Sequence, residues 1–152
     1  MTKPAYMDPA KIAYVTIHCA ATPEGRDVKA STISEWDRAR FGQTSYHWVI
    51  ELDGTAVRTL EDNQRGAHVA KHNTGNIGIC YVGGVDKDNR APKDTRTPAQ
   101  KATMLRLVRE YQHKHPGLIV LGHHDWSGVA KACPSFNVRE WLAAEDRKAE
   151  AA

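Results

Sequence analysis

Tyr46-His47-Trp48-Val49-Ile50-Glu51-Leu52-Asp53-Gly54-Thr55-Ala56-Val57-Arg58-Thr59-Leu60 is the stretch on which the fold turns. Two runs rich in β-branched and aromatic residues flank Asp53-Gly54, and an Asp-Gly pair readily takes the positive φ that tight hairpin turns demand. The reading is an antiparallel hairpin, 46–52 against 55–60. Upstream, Ala13-Tyr14-Val15-Thr16-Ile17-His18-Cys19 alternates as a strand, with Val15, Ile17 and Cys19 on one face and Tyr14, Thr16 and His18 on the other. Downstream, Ile77-Gly78-Ile79-Cys80-Tyr81-Val82 is a short apolar run closed by Gly83-Gly84, as expected of a central strand covered on both faces. Leu118–Leu121 makes a last short strand.

Helical patterns separate these runs. Thr32 and Glu35 form a capping-box pair for a helix to about Arg40, with Ile33, Trp36 and Arg40 or Phe41 inward. Thr97-Pro98-Ala99-Gln100 opens a second helix, with Met104, Leu105, Val108 and Tyr111 inward and Pro116-Gly117 ending it. A third helix runs from about Val138 to Arg147 and brings in Trp141 and Leu142. Strands interleaved with helices, plus one hairpin, predict a single α/β domain: a mixed central sheet flanked by helices, with functional groups in a cleft at the strand ends. The polar segment 61–76 is long enough for a loop with a functional role.

The chain of 152 residues has the size of one domain, and 41% hydrophobic with 26% charged residues places it far from disordered compositions. Its basic residues are scattered and leave only +3, which argues against nucleic acid as a partner. No run approaches the ~20 apolar residues of a membrane span, so membrane insertion is not expected. The start lacks a secretory h-region, so synthesis and retention in the cytoplasm are expected. Residues 1–11 read as an N-terminal extension, 12–147 as the domain proper and 148–152 as a fraying tail.

Three cysteines cannot all pair, and eight histidines are many for this length. His18 ends one strand, and His123 with His124 follows another; Cys133 comes later in Lys131-Ala132-Cys133-Pro134. Two His and one Cys with a vacant fourth position make a reasonable catalytic zinc site. Read from residues alone, the alternatives for Cys133 are a buried hydrophobe and a nucleophile of the Cys–His type, the latter disfavoured by Pro134 directly after it and by the zinc-style pair of His. Cys19 and Cys80 read as core thiols. His113 and His115, at the end of a helix, need no chemistry. Trp126 either stacks on a sugar ring or packs against the fold.

Five strings decide between these readings: Val15-Thr16-Ile17-His18-Cys19-Ala20-Ala21-Thr22; Ser45-Tyr46-His47-Trp48-Val49-Ile50 with Asp53-Gly54-Thr55; Gly66-Ala67-His68; Asn76-Ile77-Gly78-Ile79-Cys80-Tyr81-Val82-Gly83-Gly84; and Gly122-His123-His124-Asp125 followed by Lys131-Ala132-Cys133-Pro134-Ser135-Phe136. In this order they resemble the type-2 N-acetylmuramoyl-L-alanine amidase family. That family includes zinc amidase lysozymes of T-odd phages, animal peptidoglycan recognition proteins, and cytoplasmic bacterial amidases that recycle muropeptides. The resemblance runs from about Ile12 to Trp141.

The resemblance implies that His18, His123 and Cys133 hold Zn2+, and that Tyr46 and Lys131 support catalysis. A Tyr hydroxyl and a Lys ammonium can both donate to an oxyanion formed at the amide carbonyl, and either can pass a proton to the leaving amine. His68 and Asn73 match positions lining the family's substrate groove. Peptidoglycan or a muropeptide is the implied substrate, and host lysis as an endolysin the implied role, with soluble-fragment recycling, non-catalytic murein binding or inhibition of a phage RNA polymerase as alternatives. The segment Asp125-Trp126-Ser127-Gly128-Val129-Ala130 is slightly longer than in the phage lysozymes. The recycling enzymes share that length but carry Asp where this chain has Cys133.

Overall fold

Alternation in the first long strand, β1 (Tyr14–Cys19), sends Val15, Ile17 and Cys19 to one side of a sheet and Thr16 and His18 to the other. The computed structural model describes residues 4–152. Among them the remaining elements are β2 (Thr22–Pro23), α1 (Ala30–Phe41), β3 (Trp48–Ile50), β4 (Ala56–Arg58), β5 (Asn76–Tyr81), β6 (Gly84–Val85), α2 (Pro98–Lys114), β7 (Ile119–Gly122) and α3 (Val138–Ala151). The main sheet has the order β4-β3-β5-β1-β7, with β3, β5, β1 and β7 mutually parallel and β4 antiparallel to β3. This is the expected mixed sheet, and no described helix is long and apolar enough to cross a membrane.

Two cores follow from the alternation. On one face Val15, Ile17, Ile50, Ile77, Ile79 and Tyr81 meet Met104, Leu107 and Val108 of α2 and Val138 and Leu142 of α3. On the other, Val49, Cys80 and Val82 meet Val28, Ala30 and Ile33 at the start of α1. The second cover is smaller and leaves the C-terminal end of β1 open on that side, where His18 projects.

Capping decides the helix ends. At α2 the expected box is present: Gln100 N–H donates to Thr97 Oγ1 at 3.1 Å and Thr97 N–H to Gln100 Oε1 at 2.9 Å. The Gln100 amide also donates to the Ile50 and Val82 carbonyls, locking the helix onto β3 and β5. At α1 the expectation is corrected. The helix starts at Ala30, before Thr32, because Glu51 beside the hairpin turn accepts from Ala30 N–H at 2.8 Å and supplies the anion that a helix start favours. The buried face is Ala30, Ile33 and Ser34, and Trp36 and Phe41, expected inward, are half exposed at 50% and 49%. Both line the cleft beside His18.

Smaller differences concern lengths. The hairpin strands are shorter than expected, because the chain turns over Leu52 to Gly54, with Gly54 at φ +89° and Glu51 N–H closing on the Thr55 oxygen at 2.9 Å. The last strand is shifted by one residue to Ile119–Gly122, and α3 continues past Arg147 to Ala151. Of the N-terminal extension, residues 1–3 lie outside the described residues. The rest is tied down: Met7 is buried and donates to the Asn63 oxygen at 2.8 Å, and Arg65 N–H donates to the Ala5 oxygen at 2.8 Å.

Candidate metal centre

Register places the first two expected ligands side by side. Parallel pairing sets Ile17 opposite Gly122, so the next residues along, His18 and His123, leave the same end of neighbouring strands. Their rings lie 4.7 Å apart between centroids. Beyond His123, a 3₁₀ turn over His123–Asp125 is closed by Gly122 N–H donating to Asp125 Oδ2 at 2.8 Å. Cys133 is brought back by anchors on both sides: His124 N–H donates to its carbonyl at 3.0 Å, Tyr81 Oη to the Pro134 carbonyl at 2.7 Å, and Ser135 Oγ to the Gly84 carbonyl at 2.8 Å.

One ligand atom each from His18, His123 and Cys133 lies within 4.8 Å of the other two. His18 Nδ1 is 3.8 Å from Cys133 Sγ. Zinc bonds of about 2.0–2.3 Å in a tetrahedron space their ligand atoms roughly 3.3–3.6 Å apart, so this cluster needs only a small contraction to hold the ion. Two nitrogens and one sulfur, from three residues that all line the same cleft, form a donor set that suits zinc.

Electrostatics agree. Burial, then the neighbouring His68 and His123, hold His18 well below the usual histidine range. Burial and the Lys131 charge bring His123 down to about 4. Both imidazoles are therefore neutral at neutral pH, the form that binds metal. The Cys133 thiol is pushed up by its contact with the Cys19 thiol and by burial, while Cys19 N–H, 3.2 Å from Sγ, favours the thiolate. A divalent cation here would release the Cys133 proton.

The other expected residues surround this cluster. Tyr46 packs against the α1-side core with its ring 5.1 Å from that of His18, and burial raises its hydroxyl well above the ordinary tyrosine range, so it stays a proton donor. Lys131 is exposed and lines the cleft with His123. His68 and Asn73 both line a neighbouring cavity of about 620 Å³. Their polar atoms also have internal partners: His68 Nδ1 lies 2.9 Å from His18 Nε2, His68 Nε2 lies 3.0 Å from the Asn76 oxygen, and Asn73 Oδ1 accepts from His68 N–H and Val69 N–H. Trp126 serves the fold, since its indole N–H donates to Thr16 Oγ1 at 3.0 Å and its ring stacks on His72. The contact from His68 to His18 is not visible in the sequence, where its only trace is the pair of glycines, Gly66 and Gly78, that border the His68 ring.

Residues 8–136 match the family described as N-acetylmuramoyl-L-alanine amidase. The chain belongs to this family, and it is an amidase. It is 31% identical over 142 residues to the endolysin of Klebsiella phage KP32, covering 93% of this chain and 92% of the relative. To the endolysin of Escherichia phage T7 it is 30% identical over 128 residues, covering 84% and 83%. Among solved structures, the N-acetylmuramoyl-L-alanine amidase LysC from Clostridium intestinale superposes with a TM-score of 0.74 at 22% identity, covering 97% of this chain and 93% of that one. Drosophila peptidoglycan recognition protein SD superposes at 0.72 with 19% identity, covering 93% and 85%. These last two likenesses establish the fold.

Proposed function

We propose that the protein is a zinc-dependent N-acetylmuramoyl-L-alanine amidase that cuts peptidoglycan between the lactyl group of N-acetylmuramic acid and L-alanine, as a phage endolysin. The observation that carries this reading is the donor set of His18, His123 and Cys133, gathered at one end of the sheet and open to a cleft. Zinc, when bound, supplies a polarised scissile carbonyl and a water acidified toward neutral pH. The chain does the rest. Tyr46 and Lys131 are placed to donate hydrogen bonds to the carbonyl oxygen as it gains negative charge, and either can deliver a proton to the leaving alanine amine. The exposed rings of Trp36 and Phe41 give the cleft mouth apolar faces for sugar or peptide. Similarity to phage endolysins, together with Cys at the third ligand position, favours lysis over fragment recycling. Such an enzyme accumulates in the host cytoplasm and meets the wall once the membrane is breached.

The purified protein is expected to bind about one zinc and to clear sacculi, exposing new alanine amino groups and no new reducing ends. Cys133→Ala is expected to lose metal and at least about 10³-fold in activity, more than the loss of one oxyanion donor. Activity that survives exhaustive chelation, or full activity in Cys133→Ala, overturns the metal mechanism. Preference for soluble anhydro-muropeptides over sacculi replaces lysis with recycling, and murein binding without product leaves a recognition module. Association with a phage RNA polymerase would use surfaces outside the cleft, and co-purification with the cognate polymerase tests it.

A further inference from the structure

Behind the metal-ligand cluster, the hydrogen bonds of a second histidine have only one consistent set of directions. A carbonyl oxygen accepts and never donates, so the 3.0 Å contact between His68 Nε2 and the Asn76 oxygen requires a proton on Nε2. His68 is buried, and the partners of its two ring nitrogens are a carbonyl oxygen and a second imidazole, so nothing in contact with it offsets the charge of a second proton. Its Nδ1 is therefore bare and acts as an acceptor. The 2.9 Å contact from His18 Nε2 to that atom must then carry the single proton of a neutral His18. What is left on His18 is a lone pair on Nδ1, the nitrogen that faces Cys133 Sγ.

We propose that His68 is a positioning residue: it selects the Nε2–H tautomer of His18 and so readies Nδ1 as a donor before any cation arrives. The site is built for this ring. A Cβ at Gly78 would lie 2.8 Å from His68 Cγ, and one at Gly66 would lie 2.9 Å from His68 Cδ2, so both glycines make room for the imidazole. Asn73 Oδ1 fixes the His68 backbone through two N–H groups. Asn76, whose carbonyl starts the chain, is itself held, accepting from Thr16 Oγ1 at 2.8 Å and donating to the His72 carbonyl at 2.8 Å. The acceptor is also neutral. A carboxylate there would add a negative charge behind the ligand, whereas His68 orients His18 and leaves a divalent ion countered by one thiolate alone.

This inference rests on the zinc reading, and its test separates the two. Zinc affinity of the metal-stripped chain is measured by competition with a chromogenic chelator for wild type, His68→Leu and His68→Asn. His68→Leu keeps bulk and loses the acceptor, and is expected to bind zinc about 10–100-fold more weakly. His68→Asn places an amide oxygen near the position of Nδ1 and is expected to recover most of that loss. Long-range ¹H–¹⁵N spectra of the metal-free wild type, which need no variant to fold, are expected to show both His18 and His68 as Nε2–H tautomers. Equal zinc affinity in folded His68→Leu, or a proton on Nδ1 of His18, overturns the proposal. A wild type that shows the expected tautomers but does not bind zinc overturns the zinc reading and, with it, the purpose assigned to His68.

Discussion

The cleft has two walls of different construction. One is made by the sheet and the segments packed on it: His18, Tyr46 and His68 sit on or against β1, β3 and β5, buried or half-buried, and both ring nitrogens of His68 are engaged. The other is the segment between β7 and α3. It is pinned at His123–Asp125 and at Cys133–Ser135, but Ser127, Gly128, Ala130, Lys131 and Ala132 between the pins are exposed. The sheet wall fixes where His18 and Tyr46 stand. The loop wall brings the Lys131 charge to the same cleft on an exposed span.

The largest test of this contrast removes one proposed proton donor from each wall. Tyr46→Phe and Lys131→Met are each expected to lower kcat by about 10²–10³-fold with zinc content unchanged. If the walls differ as described, lengthening the loop by one glycine beside Ala130 reproduces the Lys131 defect, while no loop change reproduces that of Tyr46. Unchanged kcat in Lys131→Met would reduce the loop wall to a holder for ligands.

A second test concerns the sheet wall and its stability. His47 is buried, donates from Nε2 to the Gln64 oxygen and accepts on Nδ1 from Gly78 N–H, and burial brings its pKa down to about 4. The unfolded chain takes up this proton near pH 6.5, before the folded chain does, so stability from this group is complete above about 6.5 and falls as pH drops toward 4. The loss is on the order of 3 kcal/mol. His18, His68 and His123 add to the same slope in metal-free protein, so urea unfolding between pH 7 and 4 is compared with that of His47→Gln: the wild type should lose more stability over this range, and equal slopes would mean that His47 is protonated in the folded state.

The smallest effect belongs to the loop wall. Gly128 has φ +79°, and a Cβ at this position would meet nothing within 4 Å. Gly128→Ala should therefore cost only about 1 kcal/mol of backbone strain in thermal melts and leave zinc affinity alone. A large loss of metal would show that the span is tensioned against the ligands.

The sheet wall was legible because alternation is a local code. Val15, Ile17 and Cys19 against Thr16 and His18, the apolar run of β5, and the Thr97–Gln100 box each carry their reading within a few residues. Where the expectation failed, a distant partner decided. Glu51 caps α1 from beside the hairpin, and no pattern within residues 30–41 announces it. Trp36 and Phe41, farther along the same helix, line the cleft. His68 shows the same limit: its motif marked it as important, but whether its nitrogens serve ligand or substrate depends on Asn76 and His18, which meet it only in the folded chain.

The shared register of β1 and β7 also maps where this chain tolerates insertions. Adding one residue inside Val15–His18 or Val120–His123 would turn a ligand to the opposite face of the sheet, and no adjustment of a loop could return it. In connections that carry no site residue, length is a freer variable. Divergence in this fold should therefore accumulate as insertions and deletions in the connections, while the few residues leading up to each histidine keep a fixed count.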